Sequence, residues 1–215
     1  TIPFAGRSQH VVFGERNLQE EKIALYFDYQ GTVYPEYGIP DSSLLKCSGS
    51  LTEWYRCNPA KFTEICNFYN YPISDSVNPQ HMAALQDSVI SSVWRKINAD
   101  TNKTVTFLIH GYRKSFQDIQ KGMSSVNEFN LLKHQLNNQK LENNLYVEVY
   151  WDGTYNCCFG TNRKKNDSLF RQFEFAQEYA PTIGLSLRKI INGLQAEKVN
   201  IIAHSLGSKI AVSSL

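Results

Sequence analysis

The chain has 215 residues, 42% of them hydrophobic and 13% aromatic, long enough to bury roughly 70% of the surface its unfolded form exposes. Twenty-two Lys and Arg stand against 20 Asp and Glu, a net charge of +2 that argues against a nucleic-acid partner held by a basic field. No apolar run approaches the ~18–20 residues of a membrane-spanning helix, so no transmembrane segment is expected.

Residues 1–22 are polar without a clear period and read as an arm. Lys22 to Pro35 has the pattern of a hairpin: Ile23, Leu25 and Phe27 alternate, Gln30-Gly31 turns, and Val33 resumes. Residues 36–60, rich in Pro, Gly and Ser, read as loop. A short helix is predicted at 60–69, opened by Pro59, and a longer one from Pro79 to Ala99. In the longer one Met82, Leu85, Val89, Val93 and Ile97 recur at helical steps, with Ile90 and Trp94 widening the apolar face. Val105–Ile109 (VTFLI) is a short continuous apolar run, as in a strand covered on both faces. A helix is expected over about 116–137, a strand at Leu145–Trp151, and a helix over 168–195 interrupted near Pro181. Val199–Ala203 (VNIIA) is the last strand, with a helix from Leu206 onward. Short strands alternating with helices make this an α/β protein with a mostly parallel sheet flanked by helices.

The five cysteines, Cys47, Cys57, Cys66, Cys157 and Cys158, contain no C-x-x-C pair, so neither a zinc site nor a thioredoxin-like motif is expected. They read as small buried hydrophobes, or as a disulfide among the first three if the protein is exported. Two glycosylation-type triplets, Asn102–Thr104 and Asn166–Ser168, and the absence of an initiator Met lean the same way, to a periplasmic or secreted protein.

The chemistry points to Ala203-His204-Ser205-Leu206-Gly207. A serine held on a sharp strand-to-helix turn projects its hydroxyl beyond the carboxyl end of the sheet, and the close approach of strand and helix demands small flanking residues. Gly207 meets that demand fully and Ala203 nearly so. A pentapeptide of this form arises by chance in roughly one chain of this length in six, so its context matters: it follows an apolar strand and opens an apolar helix. The plainer alternative is that Ser205 merely caps the last helix. A second feature, His110-Gly111-Tyr112, ends the strand Val105–Ile109, where a glycine lets the next N–H turn toward a reacting carbonyl oxygen.

Thr104–Phe116 (TVTFLIHGYRKSF), the strand ending in Tyr150-Trp151, and Val199–Ser208 (VNIIAHSLGS) together resemble the α/β-hydrolase superfamily. They are most similar to an uncharacterised bacterial branch with a His-Gly-Tyr loop and an Ala-His-Ser-Met/Leu-Gly elbow. The resemblance covers roughly residues 104–215. It divides the chain into an N-terminal arm, hairpin and helices over 1–100, part of the same domain or a small extension, and a hydrolase core over 101–215. It implies Ser205 as nucleophile and the N–H groups of Leu206 and Tyr112 as the oxyanion hole. His110, Gly111, His204, Ala203 and Gly207 would be supporting residues.

The resemblance also implies a serine hydrolase acting on carboxylic esters or lipids, with neither cofactor nor metal. Only ten residues follow Ser205, and none is Asp, Glu or His, whereas the superfamily order is Ser, then acid, then His. The expectation is therefore a chain that continues past Leu215 to its base and acid, the sheet being incomplete at the C-terminus. The alternative is a catalytically inactive binding or scaffold protein on the same fold. Phe170, Phe173, Phe175 and Tyr179 can line an acyl pocket or, at this spacing, the core of a helix. Asp152 reads as a turn residue, Arg163-Lys164-Lys165 as a solvated loop, and Cys157-Cys158 as a loop pair without an activating charge pattern.

Overall fold

Four short apolar runs form one parallel sheet in the computed structural model, which describes residues 22–35, 50–71, 77–99, 104–112, 125–138, 144–151 and 165–215. The strands are β1 (Lys22–Phe27), β2 (Thr104–Ile109), β3 (Asn144–Trp151) and β4 (Lys198–Ala203), in the order β1-β3-β2-β4. In register, Phe107 lies between Val147 and Ile201, and Leu108 between Glu148 and Ile202. β2 and β3 are buried almost throughout, which is why they read as continuous apolar runs rather than as alternating ones.

The described residues also hold six helices: α1 (Leu51–Cys57), α2 (Pro59–Phe68), α3 (Pro79–Asn98), α4 (Ser125–Asn138), α5 (Lys165–Asn192) and α6 (Gly207–Ser214). No helix among the described residues is long and apolar enough to cross a membrane. In α3 the expected stripe is the buried one: Met82, Leu85, Val89, Ile90, Val93 and Ile97.

The chain runs from β2 outward to β3, then back across β2 to β4. Right-handed crossovers in opposite directions put their helices on opposite faces of the sheet. Accordingly α4 covers the face carrying Tyr146, Glu148 and Tyr150. There Phe129 packs on Tyr150 at 5.4 Å between centroids and the Tyr146 hydroxyl donates to Asn137 Oδ1 at 2.8 Å. On the other face α6 lies over Ile109, α5 packs along α6, and α3 packs on α5. Trp94 Nε1–H donates to Ile190 O at 2.9 Å, and Asn98 Nδ2–H to Gly193 O at 3.0 Å. The loops that leave adjacent β2 and β4 thus part to opposite faces and open a crevice at the carboxyl edge of the sheet.

Three expectations are corrected. Lys22–Pro35 is not a hairpin: β1 pairs in parallel with β3, and Val33 meets Phe27 through a single antiparallel bridge. The main chain of Val33 is satisfied by the Gln86 side chain of α3 instead of a second strand. Its N–H donates to Gln86 Oε1 at 2.7 Å, and its carbonyl accepts from Gln86 Nε2–H at 2.8 Å. Within 36–60, expected as loop, α1 forms over 51–57. Ser50 caps it, its Oγ accepting the Glu53 N–H at 3.2 Å, and Ser50-x-x-Glu53 is the helix-start signal that the loop-like composition hid.

Nor does Pro181 interrupt α5, which continues from Lys165 to Asn192. Proline removes the N–H that would bond the carbonyl four residues back, that of Gln177. Lys209 of α6 supplies the missing donor, its Nζ lying 3.0 Å from Gln177 O. The helix expected over 116–137 is described from Ser125 to Asn138; its first part lies outside the described residues.

Three buried charged groups stitch the layers. Asp28, at the end of β1, accepts the N–H groups of Gln30 (2.9 Å) and Thr32 (2.8 Å) on Oδ1 and that of Leu51 (2.9 Å) on Oδ2. It thereby ties the loop after β1 to the start of α1. Burial pushes its carboxyl up to about 6, against the lowering effect of these three bonds. Beneath α4, Lys133 Nζ sits 3.0 Å from Glu148 Oε1 with both side chains almost fully buried, and Tyr150 donates its hydroxyl to Glu148 Oε2 at 2.7 Å. Desolvation, and then the Glu148 carboxylate, hold the Tyr150 and Tyr26 hydroxyls well above the usual tyrosine range.

Candidate active site

β4 ends at Ala203 and α6 begins at Gly207, so the chain reverses from strand to helix within three residues. His204 N–H still reaches across to Ile109 O of β2 at 3.0 Å, extending the sheet by one bond. Ser205 then takes φ of +51°, the left-handed region in which a residue with a Cβ costs of order 1–3 kcal/mol. After it the N–H groups of Gly207, Ser208 and Lys209 close on the carbonyls of His204, Ser205 and Leu206 at 2.9, 3.0 and 3.0 Å. Ser208 Oγ–H also donates to Ser205 O at 2.6 Å. The side chain of Ser205 is exposed, and its main-chain oxygen is fully engaged by the helix it introduces. The N–H of Leu206 makes no hydrogen bond among the described residues.

The loop after β2 lies directly against this turn. A Cβ on Gly111 would stand 2.9 Å from Ser205 Cβ and 3.0 Å from His204 O, so only glycine lets the two loops meet without displacement. The converse contact is tighter: a Cβ on Gly207 would collide with His110 O. Each loop contributes one glycine to the other's main chain, which fixes the separation between residues 110–112 and the serine. Tyr112 continues the loop, its ring set edge-on against Phe173 of α5 at 5.0 Å.

His110 is fully buried and stacked on Trp151, the last residue of β3, at 5.6 Å and 9°. Its Nδ1 faces Gly111 O at 2.7 Å and therefore carries the proton. Its Nε2 accepts the Trp151 N–H at 3.1 Å, and its main-chain oxygen accepts the Trp151 indole N–H at 2.9 Å. The imidazole is thus a neutral structural group with both nitrogens committed. His204 is exposed, its Nδ1 near Gly111.

An open cleft of about 510 Å³ lies over the turn, lined by Phe173, Ser205, Leu206, Ser208, Lys209 and Val212. Its walls are mainly apolar, with one ammonium group at Lys209. The structure therefore gathers the eight residues singled out in the sequence, from His110–Tyr112 and Ala203–Gly207, at one edge of the sheet. Sequence reasoning did not find Trp151, although a tryptophan closing the strand that neighbours β2 was the available signal. It also did not find Lys209, one helical turn beyond Ser205.

Of the aromatic cluster, Phe173 lines the cleft, while Phe175 and Tyr179 are half-buried and stacked on one another at 6.2 Å. The Phe170 side chain, Asp152, Cys157, Cys158, Arg163 and Lys164 lie outside the described residues, as does Cys47. Cys57 is exposed and Cys66 buried, both free, and burial pushes the Cys66 thiol up to about 11. Among the described residues no three His, Cys, Asp or Glu side chains gather as a metal site.

No curated protein and no solved structure matches the chain. A family model does match it, over residues 85–215, a span that takes in β2, β3, β4 and the whole of the site just described. The chain belongs to the alpha/beta hydrolases of unknown function (DUF900).

Proposed function

We propose that this protein is a serine hydrolase that cleaves carboxylic esters, lipid esters included, through an acyl-enzyme on Ser205. The observation that carries this reading is the left-handed backbone of Ser205 on a strand-to-helix turn, exposed in a mainly apolar cleft. A serine that only capped α6 would keep extended backbone and turn its hydroxyl back to the helix N–H groups. Ser205 does neither: its backbone is left-handed, and the helix start is closed by main-chain carbonyls.

In this mechanism Ser205 Oγ attacks the ester carbonyl, and the developing oxyanion accepts the N–H groups of Leu206 and Tyr112. Collapse expels the alcohol, and water then releases the acid from the acyl-serine. His110 is not the base, because Gly111 O and the Trp151 N–H already occupy its two nitrogens. It holds the loop, as Gly111 does, while Ala203, His204 and Gly207 hold the turn. The proton of Ser205 would be taken by an imidazole reaching the serine from the open side of the cleft. The apolar walls at Phe173, Leu206 and Val212 favour an acyl chain over a sugar or peptide.

A fluorophosphonate probe applied to the full-length protein tests this directly. Labelling at Ser205, lost in Ser205→Ala and accompanied by hydrolysis of p-nitrophenyl acyl esters, is the expected result. A folded protein that takes no label at Ser205 overturns it and leaves the inactive binding or scaffold protein as the reading.

A further inference from the structure

Trp151 stands outside the Ser205 cleft, yet it is bonded to the loop that faces the serine. Its indole N–H reaches the main-chain oxygen of His110 at 2.9 Å, and its own N–H reaches Nε2 of the same residue at 3.1 Å. The two rings are stacked, and His110 Nδ1–H is bonded to Gly111 O at 2.7 Å. The carbonyl of the His110–Gly111 peptide is therefore held by the indole, and the carbonyl of the next peptide, Gly111–Tyr112, by the imidazole that the tryptophan orients. Trp151 is itself 1% exposed and paired with Phe27 across the sheet, so this anchor has little freedom to move.

The held peptide is the one that meets the nucleophile turn. His110 O lies under Gly207, and Gly111 lies against Ser205 Cβ and His204 O. A carbonyl placed at the end of a strand next to another strand's last residue ordinarily needs nothing more than a ladder bond. Here the indole and the imidazole it stacks on hold two successive peptides, and the second, whose carbonyl is Gly111 O, carries the Tyr112 N–H and sets the direction in which it points.

We infer that Trp151 is a positioning residue for the Ser205 reaction: its indole N–H sets the His110–Gly111 peptide against the nucleophile turn, and with it the Gly111–Tyr112 peptide that His110 Nδ1 holds, and so aims the Tyr112 N–H at the reacting carbonyl. This rests on the reading of Ser205 as the nucleophile. Trp151 touches no substrate and acts only through His110. The group that matters is one hydrogen-bond donor; the ring's bulk serves the core.

Two variants separate donor from bulk. Trp151→Phe keeps a ring on His110 and loses the N–H. Replacing Trp151 alone by 3-benzothienylalanine, in which sulfur stands where the N–H was, keeps the full shape. Both are expected to label with fluorophosphonate and to turn over p-nitrophenyl butyrate about 10- to 100-fold more slowly in kcat, with KM within about threefold of wild type. The benzothienyl variant should keep its unfolding midpoint within a few degrees while its main-chain amide at position 151, which donates to His110 Nε2, exchanges with deuterium about tenfold faster. A benzothienyl variant that reacts like a reactive wild type overturns the inference, as does a rate loss in Trp151→Phe that only follows its unfolded fraction. If wild type itself takes no label, the Ser205 reading fails. The brace is then decided by exchange alone, and an unchanged amide at position 151 overturns it.

Discussion

Lys209 Nζ lies 3.0 Å from Gln177 O, the carbonyl that Pro181 leaves without its helical donor. A residue of α6, the helix that follows Ser205, thus completes the hydrogen bonding of α5, and the two helices that floor the Ser205 cleft are locked at that point. Lys209→Met should lower the unfolding free energy by about 1 kcal/mol. The loss should shrink when Pro181→Ala restores the N–H within the helix. Urea unfolding of the two single variants and the double variant measures the coupling, and strictly additive effects would refute the link.

Ser205 holds a strained left-handed backbone, so relieving the strain should stabilise the fold, and on the reading proposed above removing the hydroxyl should end labelling. Ser205→Gly is expected to be more stable than Ser205→Ala by about 1 kcal/mol, since only glycine occupies φ of +51° without a Cβ penalty. Neither variant should take the fluorophosphonate label. Equal denaturation midpoints for the two would show that the turn is unstrained.

Gly207 admits no side chain against His110 O. Gly207→Ala should cost about 1–3 kcal/mol and should widen the gap between the loop after β2 and the turn, slowing Ser205 labelling in the protein that remains folded. Measuring the labelling rate per folded molecule separates the two effects, and an unchanged rate would show that the gap does not govern reactivity.

The carboxyl of Asp28 binds its proton more tightly in the folded protein, up to about 6, than at its ordinary value of 3.8. Folding therefore takes up a proton between about pH 4 and 6. The contribution of Asp28 to stability falls as pH rises through that window, by an amount of order 3 kcal/mol in all. Asp28→Asn removes the titration but places an amide N–H against the Leu51 N–H, so the variant should be less stable at every pH. The margin of wild type over Asp28→Asn should narrow from pH 4 to 6. Parallel stability curves over that range would contradict the assignment.

The Lys133–Glu148 pair is sealed beneath α4, where a lone charge has no compensation. Lys133→Met should cost about 3–5 kcal/mol by removing the ammonium that faces the buried carboxylate. Adding Glu148→Gln, which still accepts the Tyr150 hydroxyl, should recover much of that loss. Chemical denaturation of the pair of variants decides it, a double variant no better than Lys133→Met being the adverse result.

The α/β class, the boundaries of α3 and the strands β2, β3 and β4 were legible from residue order, because each depends on a local hydrophobic period or an apolar run closed by a turn. So was the site's outline, since a small residue, a serine and a glycine after a strand are a local pattern. What tertiary structure decided was every feature that depends on a hydrogen-bond partner far along the chain. Val33 finds the Gln86 side chain where a hairpin was expected, and Gln177 O finds Lys209 where a helix break was expected. Trp151 finds the main chain of His110 at the end of the neighbouring strand. The close approach of the two loops at Gly111 and Gly207 was likewise decided by packing, since the residues that meet there are about a hundred positions apart. Sequence fixes which groups need partners; only the packed sheet brings those partners within bonding distance.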